Sequence, residues 1–317
     1  MAQPTNTYDT YDMVGIYDDL EDAIYTISPT QTPFLSRAKR MKATQTFHEW
    51  QTDALATAVA TNAVIEGDDA TTDAQVATTR VGNYTQIADK VILVTGTSRS
   101  VKSAGRGDEL DYLIAKAGKE LKRDLEAQIT QNKASVAGNA TTARVSASVE
   151  SWLTTNDSRG GGAGAQGGFS AGIVAAPTDG TQRAFTETLV KSVLQLTWNA
   201  GGDPKLILVG PANKQVFSGF TGNATRMDKA EDKSVTASVD VYISDFGEHQ
   251  IVPSRFSRDR TALFLDMDYW GVAYLRPFQT KALAKTGDSD RSQMLCEYTL
   301  VCKNEAASGV VADLTTS

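Results

Sequence analysis

The 317-residue sequence has only two cysteines, two histidines and no uninterrupted apolar run approaching 18 residues. Cys296 and Cys302 stand an even six positions apart, which on a strand puts them on one side about 20 Å from each other, too far to bond. His48 and His249 lie far apart along the chain, so no metal-ligand spacing exists, and all four residues read as packing or surface positions. The missing apolar run excludes a helical membrane span, and the missing charged-then-apolar leader predicts a product that stays in the cytoplasm. Positive charge is also short: a net charge of −7 and a pI near 5.0 argue against a surface built to grip nucleic acid. An apolar content of 41% is enough for one large or two ordinary domains, with thin reserves.

What is present centres on residues 107–138. Leu110, Leu113, Ile114, Ala117, Leu121 and Leu125 recur at 3, 4, 7 spacing, while Lys116, Lys119, Lys122, Arg123 and Glu126 point elsewhere. Asp108 suits an N-cap, Glu109 and Asp111 suit the first turn, and Gly138 suits a terminator, with Lys133 near the last turn. The spacing predicts a helix over 108–136, roughly 28 residues and about 40 Å long. Its stripe is too short for a coiled coil, so the rod should lie on a sheet. The tail supplies a candidate, since Met294, Cys296, Tyr298, Leu300 and Cys302 alternate strictly.

Before the rod, residues 1–45 open acidic, with Asp9, Asp12, Asp18, Asp19, Glu21 and Asp22, and turn basic at Arg37, Lys39, Arg40 and Lys42. Opposite charge on two halves suits an arm lying on a neighbouring copy, and it fits two solvated charge runs equally well. Between them, Pro29 and Pro33 should break any helix, leaving Phe34 and Leu35 as an apolar plug. Residues 46–94 are rich in Thr, Ala and Val around a turn signal at Glu66–Asp69, and predict an extended two-stranded excursion. Only eight of the forty residues from Gln51 to Lys90 are large and apolar, too few for a lone ribbon in water. It should lean on another subunit.

Beyond the ribbon, Thr95-Gly96 ahead of Tyr112 and Lys116 superficially suggests a dehydrogenase. Ser100 and Lys102 stand where glycines would have to admit a pyrophosphate, so no nucleotide site follows. Residues 138–182 hold nine glycines with one apolar clump at Trp152-Leu153, a loop-rich connection without a phosphate-binding Gly-Lys-Ser/Thr. Residues 183–275 read as a compact α/β unit. A helix from about Thr186 stops at Gly201-Gly202, the strand LILVG follows, and Pro211 opens a second helix; further strands are predicted at 235–243, 249–252 and 261–269. Asp266-Met267-Asp268 lacks the loop glycine and distal Glu of a calcium site, so strand alternation is the expectation there.

Taken in order, several stretches resemble a tailed-phage major capsid protein of the Hong Kong 97 fold, and more narrowly the SU-10-type major head protein family. They are ISPTQTPFLS (27–36), EWQTDAL (49–55), IEGDDA (65–70), Asn83-Tyr84-Thr85-Gln86 through VTGTSRSV to GRGDELDYLIAKAGKELKRDLE, Trp152-Leu153 through Asn156, ALAKTGD (282–288) and EYTLVCKNEAA. The resemblance covers nearly the whole chain, least over 157–182 and 222–234. It implies an α+β capsid fold with an N-terminal arm (1–45), an extended E-loop (46–96), a peripheral domain (97–182, spine helix 108–136), an axial domain (183–275) and peripheral C-terminal strands (276–317). It also implies no catalytic, cofactor or metal site, and self-assembly as hexamers and pentamers of an icosahedral virion shell around double-stranded DNA, without sequence-specific binding. Portal and decoration or scaffolding proteins are the implied partners, with no membrane. Candidate contacts between subunits are Asp18, Asp19, Asp22, Phe34, Arg37, Arg40, Trp50, Glu66, Asp68 and Asp69. With the arm starting almost at once, no removed leader segment is expected. Lys90, the one lysine between Thr46 and Gly96, sits at the ribbon base, so no lysine-to-asparagine cross-link is expected. The rival reading is a nanocompartment shell of the same fold.

Overall fold

The computed structural model describes residues 28, 30–70, 72–101, 107–162, 164–220 and 241–316. Pro33 opens a short helix, α1 (Pro33–Arg37), where a missing N–H costs nothing, so the proline starts a helix instead of breaking one. Four strands follow: β1 (Lys39–Lys42), β2 (Phe47–Thr52), β3 (Thr79–Tyr84) and β4 (Gln86–Thr95). Thr95 caps the five-residue α2 (Gly96–Ser100) by accepting from the Ser98 N–H.

The rod is α3 (Glu109–Thr130), and Asp108 caps it as expected, its carboxylate accepting from the Leu110 N–H at 2.9 Å. At 22 residues it stops well short of residue 136. Competing bonds explain the early end: the Thr130 hydroxyl and the Gln131 side-chain amide both donate to the Phe256 carbonyl, while the Lys133 N–H donates to the Ser148 hydroxyl oxygen and its carbonyl accepts from the Ser148 N–H. Gly138, at φ +71°, serves the turn of a small hairpin closed by the Val136–Val145 bridge and not a helix end.

The remaining elements are α4 (Val149–Trp152), β5 (Asp157–Ser158), β6 (Gly168–Ser170), β7 (Ile173–Ala175), α5 (Glu187–Asn199), β8 (Leu206–Val209) and α6 (Pro211–Ser218). They are followed by β9 (Val241–Ser244), β10 (Gly247–Pro253), β11 (Ala262–Leu265), β12 (Trp270–Leu283), β13 (Ser289–Cys302) and β14 (Gly309–Val311). The helix over Glu187–Asn199, the buried LILV strand and the Pro211 helix start all match the sequence reading. Asp266–Tyr269 does not: it is a turn, with the Tyr269 N–H donating to the Asp266 carbonyl at 3.1 Å, because β11 ends at Leu265. Of the strand expected over 235–243, residues 235–240 lie outside the described residues.

Two sheets organise the chain. The first runs β1-β12-β13-β4, with β1 parallel to β12 and the other pairs antiparallel. The rod lies on one face of it: Leu121, Leu125 and Ile129 pack with Trp270, Cys296, Tyr298 and Leu300, and nearer the helix start Ala117, Leu113 and Ile114 meet Ile92 and Val94. Each fully buried aliphatic side chain there is worth roughly 1.5–3 kcal/mol. The tail strand is thus part of the platform, and β4 is the other part. The second sheet runs β5-β14-β11-β8-β10-β9, with Val190, Val193 and Leu194 of α5 and Phe217 of α6 packed on Ile207, Val209 and Phe264. The last strand, β14, therefore joins this second sheet instead of staying with β12 and β13.

Candidate assembly surfaces

The ribbon has a fixed root. β2 and β3 pair from Phe47–Tyr84 to Thr52–Thr79, six pairs in all. Gly82 is required in that ladder, since a Cβ there would stand 2.8 Å from the His48 carbonyl oxygen. Trp50 leans on Trp152 with ring centroids 5.4 Å apart, and Trp152 stacks on Phe169 at 6.1 Å. Asn83 is fully buried and fastens the root to the body. Its Nδ2 donates to the Leu300 carbonyl at 2.9 Å and to Ser146 Oγ at 3.2 Å, while its Oδ1 accepts from the Ala147 N–H at 3.0 Å. Next to it the Thr85 hydroxyl donates to Glu297, which also binds Arg144 at 2.5 Å and Arg276 at 2.8 Å.

Among the described residues the tip has no such fastening. Between Thr52 and Thr79 the described residues form no ladder, so the two-stranded reading holds only at the root. The physical reason is the scarcity of large cross-strand pairs in a run of Ala and Thr. The turn signal does form a turn, with the Asp68 N–H donating to the Ile65 carbonyl and Gly67 at φ +83°. Leu55 is 100% exposed, Val64 85% and Val76 86%. Asp53, Glu66, Asp68, Asp69 and Asp73 are the charges between residues 53 and 78, and no lysine or arginine accompanies them. The residues after the root, read as part of the excursion, form β4 in the rod's sheet, where Lys90 reaches Asp124 of α3 at 2.7 Å.

The structure distributes the other candidate contact residues unevenly. Asp18, Asp19 and Asp22 lie outside the described residues. Phe34 is fully buried, edge-on to Trp270 at 6.2 Å, and so belongs to this chain's own core instead of offering a surface to a neighbour. Arg37 and Arg40 are exposed, Arg37 donating to the Gln250 side chain. The basic half of the expected arm is partly tied down, since Lys39 pairs with Asp268 at 2.7 Å. Trp50 is half-buried, whereas Glu66, Asp68 and Asp69 are exposed at the tip.

Glu126 overturns its sequence reading. Spacing put it on the wet side of the rod, yet it is fully buried and caps α1 from across the core. Its Oε1 accepts from the Phe34 N–H at 2.8 Å and Oε2 from the Leu35 N–H at 2.9 Å. Burial pushes this carboxyl above its ordinary range, and the two N–H donors oppose that shift. A charged residue one position past the apolar stripe carries no sequence signal that another segment will cover it.

The glycine-rich connection is also explained by contacts remote in sequence. Asp313, at φ +59°, accepts from the Gly160 and Gly180 N–H groups at 3.0 and 2.8 Å. A Cβ on Gly160 would come within 2.1 Å of the Thr181 carbonyl oxygen. Beneath the loop, buried Glu150 binds Arg159 at 3.4 Å and Arg258 at 2.9 Å, and Arg258 continues to Asp179 at 2.7 Å. Cys296 and Cys302 are free and buried; burial pushes the Cys296 thiol up to about 12 and Cys302 far above its ordinary value, so both stay protonated. Among the described residues, no group of His, Cys, Asp or Glu could hold a metal ion, and no helix is long and apolar enough to cross a membrane.

Comparison with known proteins fits this arrangement. A family model described as SU10 major capsid protein matches residues 3–315. The major capsid protein of Escherichia phage Phieco32 is 29% identical over 344 aligned positions, covering 98% of this chain and 97% of that one. The cyanophage A-1(L) capsid asymmetric unit superposes with a TM-score of 0.68 at 12% identity, over 98% of this chain and 99% of that one. A Gordonia phage Cozz chain gives 0.62, also at 12% identity, over 99% and 98%. At such identities the structural likenesses carry the fold alone, which is that of Hong Kong 97-type capsid proteins.

Proposed function

Because the chain belongs to the SU10 major capsid protein family, it is the major capsid protein of a tailed phage, and we propose that its copies associate as hexamers and pentamers of an icosahedral head around double-stranded DNA. The observation that carries this reading is the bare tip, whose apolar side chains are exposed among the described residues and are suited to a partner outside the chain. In this reading residues 46–84 are the E-loop, reaching over a neighbour. The rod and its four-stranded sheet form the peripheral domain, and α5, α6 and the six-stranded sheet form the axial domain that faces the capsomer axes. Boundaries drawn by sheet differ from those drawn by sequence: β4 goes to the peripheral domain and β14 to the axial one.

Its chemistry is association, without catalysis. A net charge of −7 suits a wall that must not hold its DNA fast while the DNA is packed. Assembly takes place in the host cytoplasm, with a portal at one vertex. The family match does not favour a nanocompartment shell. Lys90, engaged with Asp124, is poorly placed for a covalent cross-link through the ribbon.

Electron microscopy of the purified protein tests the proposal: closed shells with fivefold and sixfold capsomers are expected, and a monodisperse monomer under all assembly conditions would sink it. Denaturing electrophoresis of the shells should show single-chain bands, and a covalent ladder would refute the absence of cross-links.

A further inference from the structure

The rod covers one face of the four-stranded sheet and turns its own back to solvent. That back is basic. Lys119 and Lys122 are exposed on it, Arg123 lies over the Phe256 ring at 5.5 Å, and exposed Arg255 adjoins Phe256 in the chain. Lys133 is exposed just past the helix end. Beyond the first turn the rod's own carboxylates are engaged elsewhere: Glu120 lies 3.9 Å from Lys116, Asp124 binds Lys90 at 2.7 Å, and Glu126 is buried against α1. Among the described residues Lys119, Lys122, Lys133 and Arg255 have no ion-pair partner. A net charge of −7 thus conceals a row of uncompensated cations along one side of one helix.

The sheet's other face has a different character. Part of it lies beneath Ala43, Met41 and Trp50, but past Glu297 the register leaves a half-face open, with Leu93 beside Arg291 and Leu283, and Val91 beside Gln293 and Lys281. Val91 is 58% exposed and Leu93 54%. Cations interleaved with large apolar side chains suit a protein surface. The back of the rod exposes its cations with no exposed large apolar side chain among them, which suits a phosphate backbone.

We propose that the back of the rod is the inner surface of the wall and touches the phosphates of the enclosed duplex DNA. The inference rests on the capsid reading and adds which face of the chain meets the cargo. At 1.5 Å rise per residue, Lys119, Lys122 and Arg123 fall within about 6 Å of helix axis. Duplex DNA carries one charge per about 1.7 Å of its own axis, so each cation has a phosphate within reach. Such contacts read no sequence, and a handful per chain on a negative wall lets the DNA slide as it is packed.

Accessibility of one engineered thiol tests the placement on the full chain, because Cys296 and Cys302 are buried and stay silent. In shells of Lys119→Cys chains, a maleimide carried on a polymer too large to cross the wall should label only after the shells are dissociated. A small maleimide should label empty shells readily and DNA-filled shells more slowly. Labelling of intact shells by the large reagent overturns the proposal, as does failure of the small one in empty shells, which would mean that protein covers this face. Binding of short duplex DNA by the isolated chain tests the chemistry. Lys119→Gln with Lys122→Gln should flatten the slope of log affinity on log salt by about 1.8, at about 0.9 per phosphate contact. Lys281→Gln with Arg291→Gln, on the sheet's other face, should leave the slope unchanged; equal slopes for both pairs sink the contact with DNA. A disulfide between Asp19→Cys and Lys122→Cys in filled shells would give the row to the acidic N-terminal segment and overturn the proposal too. If the unmodified protein forms no shells, the capsid reading itself falls and this inference with it.

Discussion

The root and the tip belong to one ribbon, and nearly everything that distinguishes them lies outside it. At the root, two aromatic contacts and the buried amide of Asn83 fix six residue pairs to the body. At the tip, the same polypeptide presents Leu55 and Val76 to water. Burial near 25 cal/mol per Å² of apolar surface must offset about 1–2 kcal/mol of backbone entropy per ordered residue, and among the described residues the tip buries almost nothing. Order there has to come from another molecule. The lesson is that one element can be half scaffold and half ligand.

Substitution at the core gives the largest contrast with the tip. Phe34→Ala should destabilise the isolated chain by about 3–5 kcal/mol, read by urea unfolding, because it empties a fully enclosed site against Trp270. An unchanged midpoint, with only assembly impaired, would return Phe34 to the list of neighbour contacts. Next comes the root. Asn83→Ala strands the Ala147 N–H and the Leu300 carbonyl and should cost about 1–3 kcal/mol, with faster amide exchange in β2 and β3 than in the six-stranded sheet. Uniform loosening across both sheets would show that the root is no separate unit.

Glu126 supplies a smaller effect with a definite sign. Its carboxyl is raised above the ordinary value of 4.5 by burial, against the pull of the Leu35 and Phe34 N–H groups and the Arg37 charge. A carboxyl that holds its proton more tightly when folded contributes stability that is fully present below its unfolded pKa and is lost as pH rises through its folded one. Wild-type stability measured against Glu126→Gln should therefore improve as pH falls from neutrality toward that ordinary value. A difference that stays flat, or moves the other way, would mean the N–H donors outweigh burial. Smallest of all, Leu55→Ser or Val76→Ser should leave unfolding of the isolated chain within about 0.5 kcal/mol while reducing shell yield. A drop in chain stability comparable to the Asn83 variant would show the tip folded onto its own body.

Legibility followed the range of the interactions. The start of α3, α5 with its stop at the paired glycines, the Pro211 helix and the alternating tail strand were all readable, because capping, periodicity and turn chemistry act within a few residues. The poverty of the tip was readable too, from the count of large apolar side chains. The early end of α3 was not, since Phe256 is 126 positions from Thr130 in the chain. Nor were the root's anchor at Asn83 or the capping of α1 by Glu126, 92 residues away from Phe34. The open half-face of the sheet needed the register of three strands, which alternation along a single one cannot supply.

By itself the sequence determined that this chain has a stiff rod, a sheet to carry it, a second α/β unit, and a limb too poor in apolar side chains to order itself. Those facts follow from local spacing and composition. Only the tertiary structure decided which face the rod leaves open, which residues nail the ribbon root and where the acidic Glu126 goes. Each depends on segments far apart in the chain meeting, and the energy of a buried polar group is set by the partner it finds there.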